Sequence, residues 1–312
     1  MGESEPLMLL ARGQSVAYET DLGKAWQGDA LDALRTLPPR SVDLVFTSPP
    51  FPLVRQKAYG NVAADEWLGW FLPIAGQIRR VLRPAGNFVI ELGSAWKPGT
   101  GTRSLYQYAL ALRLCGDPGD CGKFGERHVF HLAQEVYWHN PSRLPTPAEW
   151  VTRRRTHLRD AVSTFWWYAC GPFPKADNRR VLTPYSASMC RLLKNGHRPQ
   201  ARPSGHTISR AVERDNGGAI PANLLSVPNT RSNDPYLRRC RAAGAVVHPA
   251  RMPEQLPDFF IRLLTVPGQV VLDPFAGSNT TGYVAEQLGR RWLAIEIRRD
   301  YVQASRLRFE GV

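Results

Sequence analysis

The sequence predicts an α/β fold with a mostly parallel twisted sheet, and three observations carry the prediction. Short β-rich runs alternate with helical patterns. The runs end at turns rich in Pro, Gly, Asp and Ser. One run passes into a small-residue turn with a helix behind it, the signature of a βα unit.

Taken in order, Val42–Phe46 reads as a strand that ends at Thr47-Ser48-Pro49-Pro50. Trp67–Leu82 has a helical pattern, and Asn87–Glu91 reads as a strand after a turn at Pro84-Ala85-Gly86. Val129–Trp138 reads as a longer strand and Pro257–Leu264 as a helix. Val270–Leu272 follows Pro267-Gly268 and ends at Asp273-Pro274; Thr280–Leu288 is helical; Trp292–Glu296 follows the turn at Gly289-Arg290-Arg291. Residues 172–250 differ, being rich in Pro, Gly, Ser, Asn and Arg with little periodicity, and read as an irregular module laid over the sheet. Trp166-Trp167 reads as core packing rather than a pocket wall.

The chain has 312 residues, of which 43% are hydrophobic, enough for a large core and too many for a disordered chain. No run of about 18 apolar residues occurs, so no membrane span is expected. The start, MGESEPLMLL, lacks a basic region before an apolar stretch, and Pro6 argues against myristoylation. Cys115, Cys121, Cys170, Cys190 and Cys240 have no CxxC spacing and read as free thiols of a reducing cytoplasm, with no metal.

The formal net charge is +13, and it is concentrated. Arg143–Arg214 holds fourteen Arg and Lys against four Asp and Glu, a surplus of ten. Arg153, Arg154, Arg155, Arg179, Arg180, Arg191, Arg198 and Arg202 lie there, interleaved with aromatic and small polar residues and His206. Such a stretch suits a phosphate backbone, because each neutralised phosphate releases a counterion.

Two turns carry chemistry. In Asp273-Pro274-Phe275-Ala276-Gly277-Ser278-Asn279-Thr280-Thr281 a strand meets a helix, the place where an open α/β sheet receives a nucleotide-like ligand. Gly277 lets the backbone approach the ligand, and Glu296, 23 residues after Asp273, suits ribose hydroxyls. The loop has neither GxGxxG nor the Lys of a phosphate cradle, which disfavours NAD and nucleoside triphosphates. A cationic, phosphate-free nucleoside such as S-adenosyl-L-methionine fits better. In Ser48-Pro49-Pro50-Phe51 two prolines remove two N–H donors, leaving carbonyls without local competition beside a hydroxyl and an aromatic ring. That arrangement can accept hydrogen bonds from an exocyclic amine and stack its base.

Together the motifs resemble the amino-methyltransferases of DNA, with catalytic signature (S/N/D)PP(Y/F) and a DPFxGSGT-like cofactor loop. The order of the motifs resembles the beta group, and Ser48 in SPPF resembles its cytosine-N4 members. The resemblance runs from about residue 27 onward, through TSPPFPLVRQKAYGN (47–61), NPSRLPTPAEW (140–150), RPSGH (202–206), DNGGAIPANLL (215–225) and HPARMPEQLPDFFIRLL (248–264). It implies the Rossmann-like fold of S-adenosylmethionine-dependent methyltransferases, and three segments: a catalytic half, 1–171; a target-recognition module, 172–247; and a cofactor-binding half, 248–312.

It also implies roles. Ser48, Pro49, Pro50 and Phe51 hold a flipped base. Asp273, Phe275, Gly277, Ser278, Asn279, Thr280 and Glu296 line the S-adenosyl-L-methionine site. Asp29 faces the adenine edge, and His248 and Arg251 close over the methionine end. Arg55 and Lys57, after the catalytic turn, join the basic stretch and His206 in holding double-stranded DNA. Asn279 stands where many members have Gly, and Glu91 where close relatives have Asp; the sequence assigns no role to Glu91 or His139. The implied activity is site-specific cytosine-N4 methylation of DNA as the modification arm of a type II restriction–modification system. Its implied partner is a cognate restriction endonuclease at the same site, and its implied state is a monomer or weak dimer. Adenine-N6 methylation and an inactive DNA-binding regulator are the alternatives. Cytosine-C5 chemistry needs a cysteine nucleophile, usually in Pro-Cys, and no Pro-Cys occurs.

Overall fold

A computed structural model describes residues 15–52, 62–63, 66–116, 129–196, 214–230 and 234–310. The chain runs β1 (Ser15–Glu19), β2 (Gly23–Gln27), α1 (Ala30–Thr36), β3 (Val42–Thr47), α2 (Trp67–Val81), β4 (Leu82–Leu92), α3 (Tyr106–Cys115), β5 (His131–His139) and β6 (Val162–Ala169). It continues through α4 (Ala187–Asn195), β7 (Leu224–Ser226), α5 (Pro235–Ala242), α6 (Gln255–Leu264), β8 (Val270–Asp273), α7 (Thr280–Gln287), β9 (Arg291–Glu296) and α8 (Arg299–Arg306).

The strands form one sheet in the order β1-β2-β9-β8-β3-β4-β6-β5-β7. From β2 through β9, β8 and β3 to β4 every pairing is parallel, whereas β1 and β6 run antiparallel to their neighbours. The central β3 is buried at all six positions, the polar Asp43 and Thr47 included. One face is covered by α1, α2 and α3 through Leu34, Phe71, Ile78 and Leu110, and the other by α6, α7 and α8 through Phe260, Val284 and Val302. The two segments expected to be halves of the fold interleave, since β8 and β9 lie between β2 and β3.

The crossover β3-α2-β4 steps one way along the sheet, and β8-α7-β9 steps the other. The boundary between β8 and β3 is therefore a topological switch point, where an open sheet splits to leave a crevice at the strand C-termini.

Two features differ from the sequence-based expectation, and one agrees with it. Pro84-Ala85-Gly86 is a bulge inside β4: Val42 pairs with Leu82, but Leu44 pairs with Asn87. Trp166 and Trp167 lie on β6 and fill opposite cores, as their reading as core packing expects. The module from 172 is less irregular than expected, for it forms α4 and a Thr183–Ala219 bridge, and β7 joins the sheet edge beside β5. Among the described residues no helix is long and apolar enough to cross a membrane.

Gly23 on β2 sits against the Trp292 ring of β9, and a Cβ there would fall 2.2 Å from the indole. Gly23→Ala is expected to destabilise the protein by about 1–3 kcal/mol through overpacking, measured as a lower urea midpoint at unchanged slope. An unchanged midpoint would contradict this packing.

Candidate active site

The C-terminal ends of β2, β3, β4, β8 and β9 surround a cavity of about 550 Å³. Its floor lies at the switch point. There the Thr47 hydroxyl, ending β3, donates to Asp273 Oδ1, ending β8, at 2.6 Å. Thr281 of α7 donates to Oδ2 at 2.7 Å, and the Phe275 N–H donates to Oδ1 at 3.1 Å. Burial pushes the Asp273 carboxyl up, and these three bonds oppose the shift. Asp273 thus ties the two chemical turns together.

Beyond it the chain makes the turn that the small residues foretold. Gly277 has φ +53°, and a Cβ there would meet the His248 ring at 3.3 Å. The Gly277 N–H donates to Glu296 Oε2 at 2.9 Å, and the Arg298 N–H to Oε1 at 2.8 Å. Burial raises the Glu296 carboxyl. Asp29 caps α1, accepting from Leu31 and Asp32 N–H groups at Oδ1, and lines the cavity. His248 packs edge-on against Tyr301, its Nδ1 lies 2.7 Å from the Ala250 carbonyl, and burial lowers its pKa. Arg251 donates to the His248 carbonyl at 3.2 Å.

At the other end lies Ser48-Pro49-Pro50-Phe51. The Ser48 hydroxyl donates to Glu91 Oε2 of β4 at 2.5 Å. Its proton is thereby committed, and its lone pairs are left as acceptors. Burial pushes the Glu91 carboxyl up; bonds from Ser48 and Ser163 and the charge of Arg143 oppose this. The two proline carbonyls differ. The Pro50 carbonyl has no local competitor, as expected, but accepts Trp67 Nε1–H at 2.7 Å. The indole arrives from α2, far along the chain, so no local pattern announces it. Phe51 packs so closely on Gly93 that a Cβ there would lie 2.6 Å from its ring.

The structure brings together Ser48, Pro49, Pro50, Phe51, Asp29, Asp273, Phe275, Gly277, Ser278, Thr280, Glu296, His248 and Arg251 around one cavity. Asn279 does not line it. With φ +50° it caps α7, accepting the Gly282 N–H and donating to the Tyr18 hydroxyl behind the loop. Arg153, Arg154 and Arg155 lie on the connection from β5 to β6, which leaves from the cavity end of the sheet; Arg153 and Arg154 pair with Glu149. Arg179 and Arg180 lie at the opposite end. β6 runs antiparallel to β4 and carries the chain away, so both pair with Asp177, and Arg180 donates to the Thr265 carbonyl before β8. Arg191 is exposed on α4. Arg55, Lys57, Arg198, Arg202 and His206 lie outside the described residues.

Sequence reasoning missed Glu91, Arg143, Ser163 and Arg308. Buried Arg308 donates to the Ser278 carbonyl at 2.6 Å and to its hydroxyl at 3.0 Å, bracing the turn from the far end of the chain. Among the described residues no group of three or more His, Cys, Asp or Glu could hold a metal.

An open, mostly parallel sheet with an acidic, lysine-free ligand turn at its switch point has the fold of S-adenosylmethionine-dependent methyltransferases. A family profile described as DNA methylase matches residues 42–307, and the chain belongs to that family. It is 43% identical over 304 residues to the type II methyltransferase M.PvuII of Proteus hauseri, covering 96% of this chain and 88% of that one. It is 23% identical to the type II methyltransferase M.ScaI of Streptomyces caespitosus, covering 94% and 83%. Among solved structures, the PvuII DNA methyltransferase (cytosine-N4-specific) superposes with a TM-score of 0.75 at 38% identity, covering 96% and 91%. The M1.HpyAVI–SAM complex shares the fold, with a TM-score of 0.52 at 17% identity over 93% and 100%.

Glu91 gives the site a pH signature. A buried carboxyl whose pKa rises above its usual 4.5 on folding stabilises the protein below that value, and the benefit is lost as pH rises through the folded pKa. Glu91→Gln cannot ionise and keeps an acceptor for Ser48. Thermal melts at pH values from about 4.5 upward should show the variant gaining on wild type as pH rises. Parallel pH profiles would contradict the assignment.

Proposed function

We propose that the protein transfers a methyl group from S-adenosyl-L-methionine to the exocyclic N4 of a cytosine at a specific site in double-stranded DNA. The observation that carries this is one cavity with two chemically distinct ends. One end is a glycine turn bordered by Glu296 and Asp29; the other is a serine whose proton is held by a buried carboxylate.

The first end fits the cofactor. Asp29 and Glu296 bring acceptor oxygens suited to an adenine amine and ribose hydroxyls, and Gly277 keeps the wall free of a side chain. Phe275, Ser278 and Thr280 complete this wall, and His248 and Arg251 border its mouth. Asp273 lines the cavity and holds the turn in place through its three bonds. When bound, the cofactor supplies an electrophilic sulfonium methyl.

The chain's residues prepare the nucleophile. A cytosine amine is planar, with its lone pair delocalised into the ring. Ser48 Oγ and the Pro49 carbonyl accept its two N–H bonds and favour a tetrahedral nitrogen, while Phe51 stacks on the base. Most of the acceleration comes from placement and electrostatics. Glu91, its pKa raised by burial, is suited to receive through Ser48 the proton the amine gives up. The target nitrogen is out of reach inside a duplex, so the base flips out, at a cost of about a few kcal/mol.

Arg153, Arg154 and Arg155 hold the backbone from the cavity side, and residues 172–247 form the target-recognition module, with Arg191 of α4 among its DNA contacts. Arg55, Lys57, Arg198, Arg202 and His206 join them. Residues 1–171 and 248–312 are the catalytic and cofactor-binding halves. The protein acts in the cytoplasm as the modification enzyme of a restriction–modification system, beside an endonuclease of the same specificity. It works as a monomer or weak dimer, because each strand is methylated separately.

The test is to incubate the purified protein with S-adenosyl-L-methionine and unmethylated bacterial DNA, digest to nucleosides and identify the product by mass spectrometry. N4-methylcytosine is expected, with a rate about 10²–10³-fold lower for Ser48→Ala. N6-methyladenine would overturn the substrate; no methylated base would overturn the reaction.

A further inference from the structure

We infer that Arg143 selects the target base by donating a hydrogen bond to the O2 carbonyl of the flipped cytosine. The inference rests on reading the cavity as the pocket of that base. Ser48 and the prolines cannot discriminate alone, because cytosine and adenine both present an exocyclic amine beside a ring nitrogen acceptor. The edges differ one position further on. Cytosine carries the O2 carbonyl there, and adenine a C–H. A donor at that point favours cytosine.

Arg143 is built into the pocket as such a donor. It ends a turn that leaves β5. The Asn140 N–H donates to the Ala161 carbonyl at 2.8 Å, and the Arg143 N–H to the Asn140 carbonyl at 3.2 Å. Asn140 Oδ1 accepts the Ser142 N–H at 3.1 Å, and Arg159 donates to the Arg143 carbonyl at 3.1 Å. The backbone is therefore held on both sides. The side chain lines the cavity together with Ser48, Glu91 and Ser163, and its Nη1–H donates to the Ser163 hydroxyl at 3.3 Å.

Glu91 attracts Arg143 electrostatically, but its short hydrogen bond is with Ser48. The guanidinium has five N–H donors in a fixed fork, and Ser163 takes one. Among the described residues the remainder have no hydrogen-bond partner, and Arg143 lines the same cavity as Ser48 and Pro49. A carbonyl there satisfies the fork, whereas an adenine C–H leaves it without that acceptor. Sites built to hydrogen-bond a substrate group reject analogues lacking it.

The test is a chemical double-mutant cycle on a duplex containing the sequence the enzyme is found to methylate. One substrate carries ordinary cytosine. The other carries an aminopyridine C-nucleoside that keeps the amine and ring nitrogen but has C–H in place of the O2 carbonyl. Wild type and Arg143→Met are compared by kcat/KM, with a cofactor titration on each. Wild type should lose about 10–100-fold on the analogue, as for a hydrogen bond to a charged group. Arg143→Met should lose a similar factor on cytosine and little more on the analogue.

Independent, multiplicative losses would overturn the inference, because Arg143 would then act elsewhere, on a phosphate or on Glu91. An undiminished Arg143→Met enzyme would overturn it as well. If Arg143→Met does not fold, Arg143→Gln, which can still donate to Ser163, replaces it. Loss of cofactor binding in both variants would make Arg143 a brace of the pocket and overturn its role in base selection. Failure of the underlying reading is separate, since it shows as wild type making no N4-methylcytosine on ordinary DNA.

Discussion

The site depends on one buried carboxylate at the point where the sheet divides. Asp273 ends β8, Thr47 ends β3, and the 2.6 Å bond between them joins two motifs 226 residues apart in sequence. The crossovers leave this boundary in opposite directions, so no continuous backbone ties the two turns together there. Thr281 and Phe275 complete the shell of donors around Asp273, a requirement for a charge so deeply buried. The glycine turn after β8 and the Ser48 turn after β3 then face one cavity.

Around that bond the polar groups divide into two sets. Glu296 and Asp29 accept hydrogen bonds from backbone N–H groups and line the cavity. Glu91 fixes the direction of the Ser48 hydroxyl, which turns an amphoteric group into an acceptor. Arg308 and Trp67 brace the two turns from behind, through Ser278 and Pro50 respectively. The reactive end of the cavity is therefore rigid without disulfides or metal ligands among the described residues.

Much of this was legible in the sequence. β3, β8 and β9 stand out because central parallel strands are buried on both faces and read as apolar runs. Asp273, Gly277 and Glu296 follow from the geometry of a strand–turn–helix unit, and Ser48 from its place after a strand. Asn279 could have been read differently: where many relatives carry Gly, a left-handed Asn cap is the natural substitute, and its side chain then belongs to the helix rather than the ligand. Charge density does not say where Arg179 and Arg180 sit, because composition does not reveal that β6 returns the chain to the far end of the sheet. Glu91, Arg143 and Ser163 come from three separate segments, and only tertiary structure brings them together.

The most direct measurement is on Thr47→Val, which removes the hydroxyl at nearly constant volume. Cofactor affinity by calorimetry and single-turnover methyl transfer to DNA would be compared with wild type in protein that still melts cooperatively. If Asp273 and Thr47 hold the two turns in register, both quantities fall, affinity by about tenfold, the scale of one hydrogen bond to a buried charge. Wild-type affinity together with a wild-type transfer rate would contradict the account, since the two turns would then keep their register without the bond.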